Sequence, residues 1–254
     1  MTLEHIFKKD KPAFIPYVMA GDPDMETTVM LVDALTHAGA AAIELGVPYG
    51  DPLADGPTIA AAGARALARG TGMSQTLELV QRVAAHAPPI VLFTYFNPVY
   101  RYGIERFARA AARAGAAGVI VPDVALEEGA QLRAALEREG LCMPLLIAPS
   151  TPHERAARIA AQSGGFVYVV SRLGVTGAAS TPDFAPLREQ LGALRDVTDK
   201  PLAVGFGISS SAHVAAVSDL ADGFIVGSAL IDAYGSARGE QAAQRAGAFA
   251  RSLR

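Results

Sequence analysis

The sequence holds a single cysteine, Cys142, so no disulfide can form within the chain, which fits a reducing cytoplasm. Cys142 precedes the strand-like run Met143-Pro144-Leu145-Leu146-Ile147 and reads as a small core hydrophobe rather than a nucleophile. There are four lysines: Lys8, Lys9, Lys11 and Lys200. None sits at the C-terminal end of a strand-like run, so a Schiff-base mechanism lacks its amine. His5, His37, His86, His153 and His213 show no metal-ligand spacing, which argues against a zinc-assisted route. No apolar run approaches the ~20 residues of a membrane span, and the first nine residues lack the apolar stretch of a signal peptide. A net charge of −3 argues against a nucleic-acid surface. The short basic run Lys8-Lys9-Asp10-Lys11 reads as a solvated N-terminal segment.

What is present is alternation. Eight short apolar runs recur: Phe14–Ala20, Ala41–Val47, Ile90–Tyr95, Gly118–Asp123, Pro144–Pro149, Phe166–Ser171, Leu202–Gly207 and Gly223–Ser228. They are near-continuously hydrophobic, as strands covered on both faces should be. Between them lie helix-like segments: Met25–Ala38, Pro57–Arg69, Ile104–Ala114, Leu126–Glu139, His153–Ser163, Ser209–Leu220 and Gln241–Leu253, with an extra one at Ser74–Ala87. Most stop at a glycine, the residue a helix C-terminus favours. No composition break marks a linker. Eight β–α units in about 250 residues predict one domain over residues 1–254, a (β/α)8 TIM barrel with extra helices. A doubly wound open sheet is the alternative. It lacks its glycine fingerprint, since Ala20-Gly21-Asp22-Pro23 follows the first strand instead of Gly-x-Gly-x-x-Gly.

Barrel enzymes build their sites on loops after the strands. Two such loops stand out, Pro48–Thr58 and Arg172–Asp183, the second rich in small polar residues and suited to a lid. Glu44 lies inside an otherwise apolar strand, where a carboxylate loses hydration whichever way it points. It reads first as a general acid/base raised by burial, ahead of a buried Glu satisfied by backbone donors. Asp55 precedes Gly56-Pro57, so capping and catalysis stay equally open for it. Asp22, Asp24 and Asp123 read as turn and cap residues. Gly205-Phe206-Gly207-Ile208-Ser209 and Gly227-Ser228-Ala229 end the last two strands, where barrels commonly bind phosphate, and Gly174–Gly177 could complete the cradle.

These residues resemble a known family. Ile43–Ile59, with Glu44 and Asp55, is similar to the signature of tryptophan synthase alpha subunits. Ala20–Pro23, Thr94–Pro98, Val121–Asp123, Ser171–Gly177 and Gly205–Ser209 extend the likeness in order along the chain. The resemblance implies a cofactor-independent retro-aldol cleavage of indole-3-glycerol phosphate to indole and glyceraldehyde 3-phosphate. Glu44 would protonate indole C3, and Asp55 would accept a hydrogen bond from the indole N–H. Tyr17, Phe93, Tyr95 and Ile120 would form the indole pocket, with Tyr168 near the glycerol end and Ile225 lining the cavity. Gly177, Phe206, Gly207, Gly227 and Ser228 would bind phosphate, and Thr176 would orient Asp55 on loop closure. The resemblance also implies a pyridoxal-phosphate beta subunit, an alpha2beta2 assembly in the cytoplasm, and Pro48 and Asp51 near the interface. Tyr17 stands where the family commonly has phenylalanine. Gly50 and Val226 stand where serine is frequent. The competing readings are a stand-alone lyase, another phosphate-binding barrel isomerase, and a non-catalytic activator of a beta subunit.

Overall fold

All eight apolar runs form strands in the computed structural model, which describes residues 3–9, 12–171, 184–205 and 207–253. They are β1 (Ala13–Met19), β2 (Ile43–Gly46), β3 (Ile90–Phe93), β4 (Gly118–Ile120), β5 (Leu145–Ile147), β6 (Val167–Val170), β7 (Leu202–Gly205) and β8 (Gly223–Val226). Neighbouring strands pair in parallel, in the order β4-β3-β2-β1-β8-β7-β6-β5. A parallel bridge between Gly118 and Cys142 draws the two outer strands together, with Val119 N–H donating to Cys142 O at 2.9 Å. Eight β–α units thus wind into a nearly closed barrel, as the alternation predicts.

The helices are α1 (Ile6–Lys9), α2 (Met25–His37), α3 (Pro57–Ala68), α4 (Met73–Val83), α5 (Phe96–Tyr102), α6 (Ile104–Ala114), α7 (Ala130–Arg138), α8 (His153–Gln162), α9 (Ala185–Arg195), α10 (Ser211–Ala215), α11 (Ser228–Tyr234) and α12 (Gly239–Ser252). The predicted stop at Gly115 is a left-handed cap with φ 95°, a conformation that suits glycine. Two predicted helices are shorter than expected. α7 begins at Ala130, because Leu126 lies in a preceding turn whose carbonyl accepts from Arg133 Nη1 at 2.7 Å. α10 ends at Ala215, after which i→i+3 bonds such as Leu220 N–H to Val217 O tighten the chain toward β8. Four helices, α1, α5, α9 and α11, were not expected from periodicity. α1 has 4 residues and α5 and α11 have 7 each, too short to display an amphipathic repeat.

The N-terminal segment stoppers one end of the barrel. Leu3, Ile6 and Phe7 are buried, and the Phe7 ring lies 5.5 Å from that of Phe166. A Cβ added to Gly223, the first residue of β8, would sit 2.8 Å from Phe7 Cε1. With that end filled, the opposite rim, where the strands finish, is left to carry chemistry.

Candidate active site

Strand register decides which side chains enter the barrel. Residues paired across parallel strands share a face, and side chains alternate along each strand. Tyr17 pairs with Glu44, Glu44 with Val91, Phe93 with Ile120, and Phe93 with Gly46. Ile225 pairs with Ile15, two residues before Tyr17, and Tyr168 with Ala203, itself opposite Gly223. Tyr17, Glu44, Phe93, Ile120, Tyr168 and Ile225 therefore all point the same way. That way is inward. The rings of Tyr17 and Phe93 meet edge-on at 5.9 Å across the strand that separates them. The intervening strand permits this because it carries glycine there: a Cβ on Gly46 would fall 2.1 Å from the Tyr17 hydroxyl. Gly205 makes the same room for Tyr168, whose hydroxyl would lie 2.3 Å from a Cβ at that position.

Glu44 is 2% exposed, and its Oε1 has no hydrogen-bond partner among the described residues. Burial, then the nearby charge of Asp55, pushes its carboxyl up from 4.5 to about 8. At neutral pH the group is therefore a carboxylic acid with a proton to give. Neither the Tyr17 nor the Tyr168 phenol offers a competing charge: burial first, and charges including Glu44's, hold both well above their ordinary value. The buried Tyr17 hydroxyl needs a partner, and it donates to Met19 Sδ at 3.9 Å.

Asp55 stands in the loop between β2 and α3. It is not a helix cap: Gly56 is the N-cap of α3, without a side-chain bond. Instead Tyr95 donates its hydroxyl proton to Asp55 Oδ1 at 2.7 Å and accepts from Ala54 N–H at 3.1 Å. Burial raises the Asp55 carboxyl, and the Tyr95 bond pulls it back. Removing that bond by Tyr95→Phe therefore raises it further. The expected result is a kcat/KM about tenfold lower, with its low-pH limb moved to higher pH. An unmoved limb in a steady-state pH profile counts against the Tyr95–Asp55 link.

The residues expected at the phosphate lie across β1. Gly227 caps α11, and Ser228, exposed, begins it. Gly227 lies over Tyr17: an added Cβ would be 3.5 Å from Tyr17 Cβ and 3.3 Å from Ile59 Cδ1. Gly207, on the neighbouring strand end, has φ 98°, which disfavours any side chain. Thr176, Gly177 and Phe206, and the loop 172–183 that contains the first two, lie outside the described residues.

Other expectations divide. Asp24 caps α2, accepting from Thr27 N–H at 2.8 Å, and Asp123 accepts from Phe96 N–H at 2.9 Å, as cap and turn residues should. Asp22 closes a turn, its N–H donating to Met19 O at 3.2 Å, but it is also fully buried and paired in two-pronged fashion with Arg65, which the turn reading did not include. No local signal links residues 43 positions apart, and only the folded β1–α3 contact joins them. Asp51 is exposed, whereas Pro48 is buried. Missed altogether were the aromatic rim contact of Tyr49 with Tyr95, at 5.4 Å, and the exposed apolar side chains of Leu53 and Tyr100. Among the described residues no group of three or more His, Cys, Asp or Glu could hold a metal ion, and no helix is long and apolar enough to cross a membrane.

Residues 3–254 match a family model described as Tryptophan synthase alpha chain. A Synechococcus sp. (strain CC9902) protein of that name is 46% identical over 256 residues, spanning 100% of this chain and 95% of the relative. One from Picosynechococcus sp. (strain ATCC 27264 / PCC 7002 / PR-6) is 50% identical over 221 residues, 86% of this chain and 83% of the relative. Among solved structures, Mycobacterium tuberculosis tryptophan synthase matches with a TM-score of 0.89 at 40% identity, covering 99% of this chain and 96% of that one. A mutant tryptophan synthase alpha-subunit from Pyrococcus furiosus matches with a TM-score of 0.88 at 36% identity, covering 96% and 98%.

Proposed function

This chain belongs to the tryptophan synthase alpha chain family, and from that premise we propose that Glu44 and Asp55 divide the work of cleaving indole-3-glycerol phosphate to indole and glyceraldehyde 3-phosphate. Glu44 gives its proton to indole C3. The ring becomes a cation that can accept a bonding pair. Asp55 accepts a hydrogen bond from the indole N–H and offsets the positive charge developing there. The carbinol hydroxyl then loses its proton to the Glu44 carboxylate or a water. The carbon–carbon bond breaks, its electrons return to the ring, and the hydroxyl carbon leaves as the aldehyde. One proton enters and one departs, so the balance needs no redox partner. Tyr17, Phe93, Tyr95 and Ile120 hold the indole, Tyr168 and Ile225 line the glycerol path, and Gly207, Gly227 and Ser228 receive the phosphate. Phe206, Thr176 and Gly177 belong to the same assignment.

The observation that carries this reading is the Glu44 carboxyl, buried inside the barrel with an oxygen that has no partner among the described residues, and protonated up to about pH 8. A barrel isomerase acting on a sugar phosphate could use the same anion cradle but gives Glu44 and Asp55 no shared substrate. The decisive assay sets indole release from indole-3-glycerol phosphate against turnover of amino-sugar phosphates. Indole release supports the proposal, and turnover of the sugar phosphates alone ends it. Ser228→Asp brings a carboxylate to the phosphate, and the expected result is a KM at least tenfold higher with kcat nearly unchanged. An unchanged KM removes Ser228 from the phosphate site.

The family implies a beta subunit as partner. The finer proposal is an alpha2beta2 assembly in the cytoplasm, the whole chain acting as one barrel domain and the beta subunit carrying pyridoxal phosphate. Asp51 offers a contact on the rim, while buried Pro48 shapes the loop behind it. Leu53 (77% exposed), in the loop after β2, and Tyr100 (67% exposed), on α5 after the adjacent β3, support a docking face there, since they leave large apolar groups in water.

A further inference from the structure

Asp22 joins three units of the barrel in a way the reaction scheme above does not use. Its carboxylate is fully buried, in the loop after β1. Arg65, on α3, donates to it from Nε at 2.7 Å and Nη2 at 2.9 Å. Tyr234, in the last turn of α11 and equally buried, donates from its hydroxyl at 3.3 Å. A buried carboxylate requires partners of this kind, so the three side chains hold a fixed arrangement. The two helices also touch directly, Thr58 Oγ1 donating to Asp232 Oδ1 at 3.2 Å. Beyond α3, Thr71 packs on Gly21, leaving no room for a Cβ there: its Oγ1 would be 2.2 Å away.

The identity of these helices gives the network its meaning. α3 starts at Pro57, two residues after Asp55, and α11 starts at Ser228. One helix thus sets where the indole end of the site stands, and the other where the phosphate end stands. Their strands β2 and β8 flank β1, and the loop that follows β1 carries the shared carboxylate. From this geometry we propose that Arg65 and Tyr234 are positioning residues that act through Asp22. Arg65 fixes the Asp55 loop, and Tyr234 fixes the helix that begins at the phosphate. The proposal deepens the functional reading above and rests on it for the meaning of the two ends.

Arg65 is open on its other side, its side chain 47% exposed and facing a cleft of about 860 Å³ lined also by Pro57, Thr58, Asp232 and Arg238. A small guanidinium ion can therefore reach the place that a truncated side chain vacates.

The test uses the full chain with its beta subunit, with thermal melting as the folding control. Arg65→Lys keeps the charge but not the two-pronged grip. It is expected to lower kcat about tenfold with KM within twofold. Tyr234→Phe is expected to raise KM for indole-3-glycerol phosphate about fivefold, and to weaken inorganic phosphate binding measured by calorimetry, with kcat within twofold. Arg65→Ala should lose more of kcat than the lysine variant and regain part of it with millimolar methylguanidinium. Folded Lys and Phe variants that both match the wild type, or that change kcat and KM in the same proportion as each other, overturn the proposal. So does phosphate binding that weakens equally in both. A wild type that binds phosphate but releases no indole overturns the functional reading instead, and the phosphate affinities of the two variants still decide whether Tyr234 governs the anion end.

Discussion

Replacing Glu44 by glutamine is expected to lower indole formation about a thousandfold while making the barrel harder to unfold at pH 8. The loss follows from chemistry. Glutamine keeps the size and polarity of the side chain but has no transferable proton, and a positioned general acid contributes about 10²–10⁴-fold. The wild type should lose kcat/KM as pH rises through about 8, because the acid must enter the cycle protonated and Glu44 holds its proton to that point. In the variant that high-pH limb should vanish with the activity. Retention of wild-type indole release by the variant, or a wild-type profile flat from pH 6 to 9, removes Glu44 from the role of acid.

The stability half has the opposite sign. In the unfolded chain the Glu44 carboxyl ionises at its ordinary 4.5, but in the folded barrel it ionises at about 8. Between those values the folded state binds more protons than the unfolded state, so stability falls as pH rises and levels off above about 8. The gap sets an upper limit of about 5 kcal/mol on the loss, at about 1.4 kcal/mol per pH unit. Glutamine has no such dependence. The comparison is therefore best made as a difference. The Tm of the variant minus that of the wild type should be larger at pH 8 than at pH 5, where both side chains are neutral in the folded state. A difference that does not grow with pH means that Glu44 is not forced to stay protonated. An activity and stability that move in opposite directions mark a group kept for function.

The fold was legible because strand burial writes itself into composition. Runs such as Ile90–Tyr95 and Leu202–Gly207 are apolar on both faces, and each proved to be a strand within a few residues. Glu44 was legible for the same reason, as a carboxylate where only apolar side chains belong. What sequence could not supply was direction and distance. Parity along β2 and its register against β1 decide that Glu44 faces inward, and register is a property of pairs of strands. The Asp55–Tyr95 bond spans 40 residues and Tyr234–Asp22 spans 212, so neither leaves a local spacing to read. Asp22 reads as a turn residue between Gly21 and Pro23 and is one, its N–H donating to Met19 O, but nothing local shows that its carboxylate is buried. Its burial comes from α3 and α11, which arrive later in the chain.

Asp55→Asn is expected to lower kcat by about 10²–10³-fold with little change in KM. The substitution is nearly isosteric. The asparagine oxygen can still accept from the Tyr95 hydroxyl, which now lies 2.7 Å from Asp55 Oδ1, so the loop should keep its shape. It can also still accept from an indole N–H, so ground-state binding should survive. What disappears is negative charge beside a ring that becomes cationic only when C3 is protonated. An interaction made only as the charge develops appears in kcat rather than in KM. The side chain is only partly shielded from solvent, so its effect should fall below that of losing Glu44. The pH profile separates charge from shape. Asp55 must be ionised, and burial has raised its carboxyl above the ordinary value, so wild-type kcat/KM should fall on the acid side. Asparagine should abolish that fall along with most of the rate. A variant that keeps the acid limb, or one whose defect lies in KM alone, assigns the developing charge to some other group.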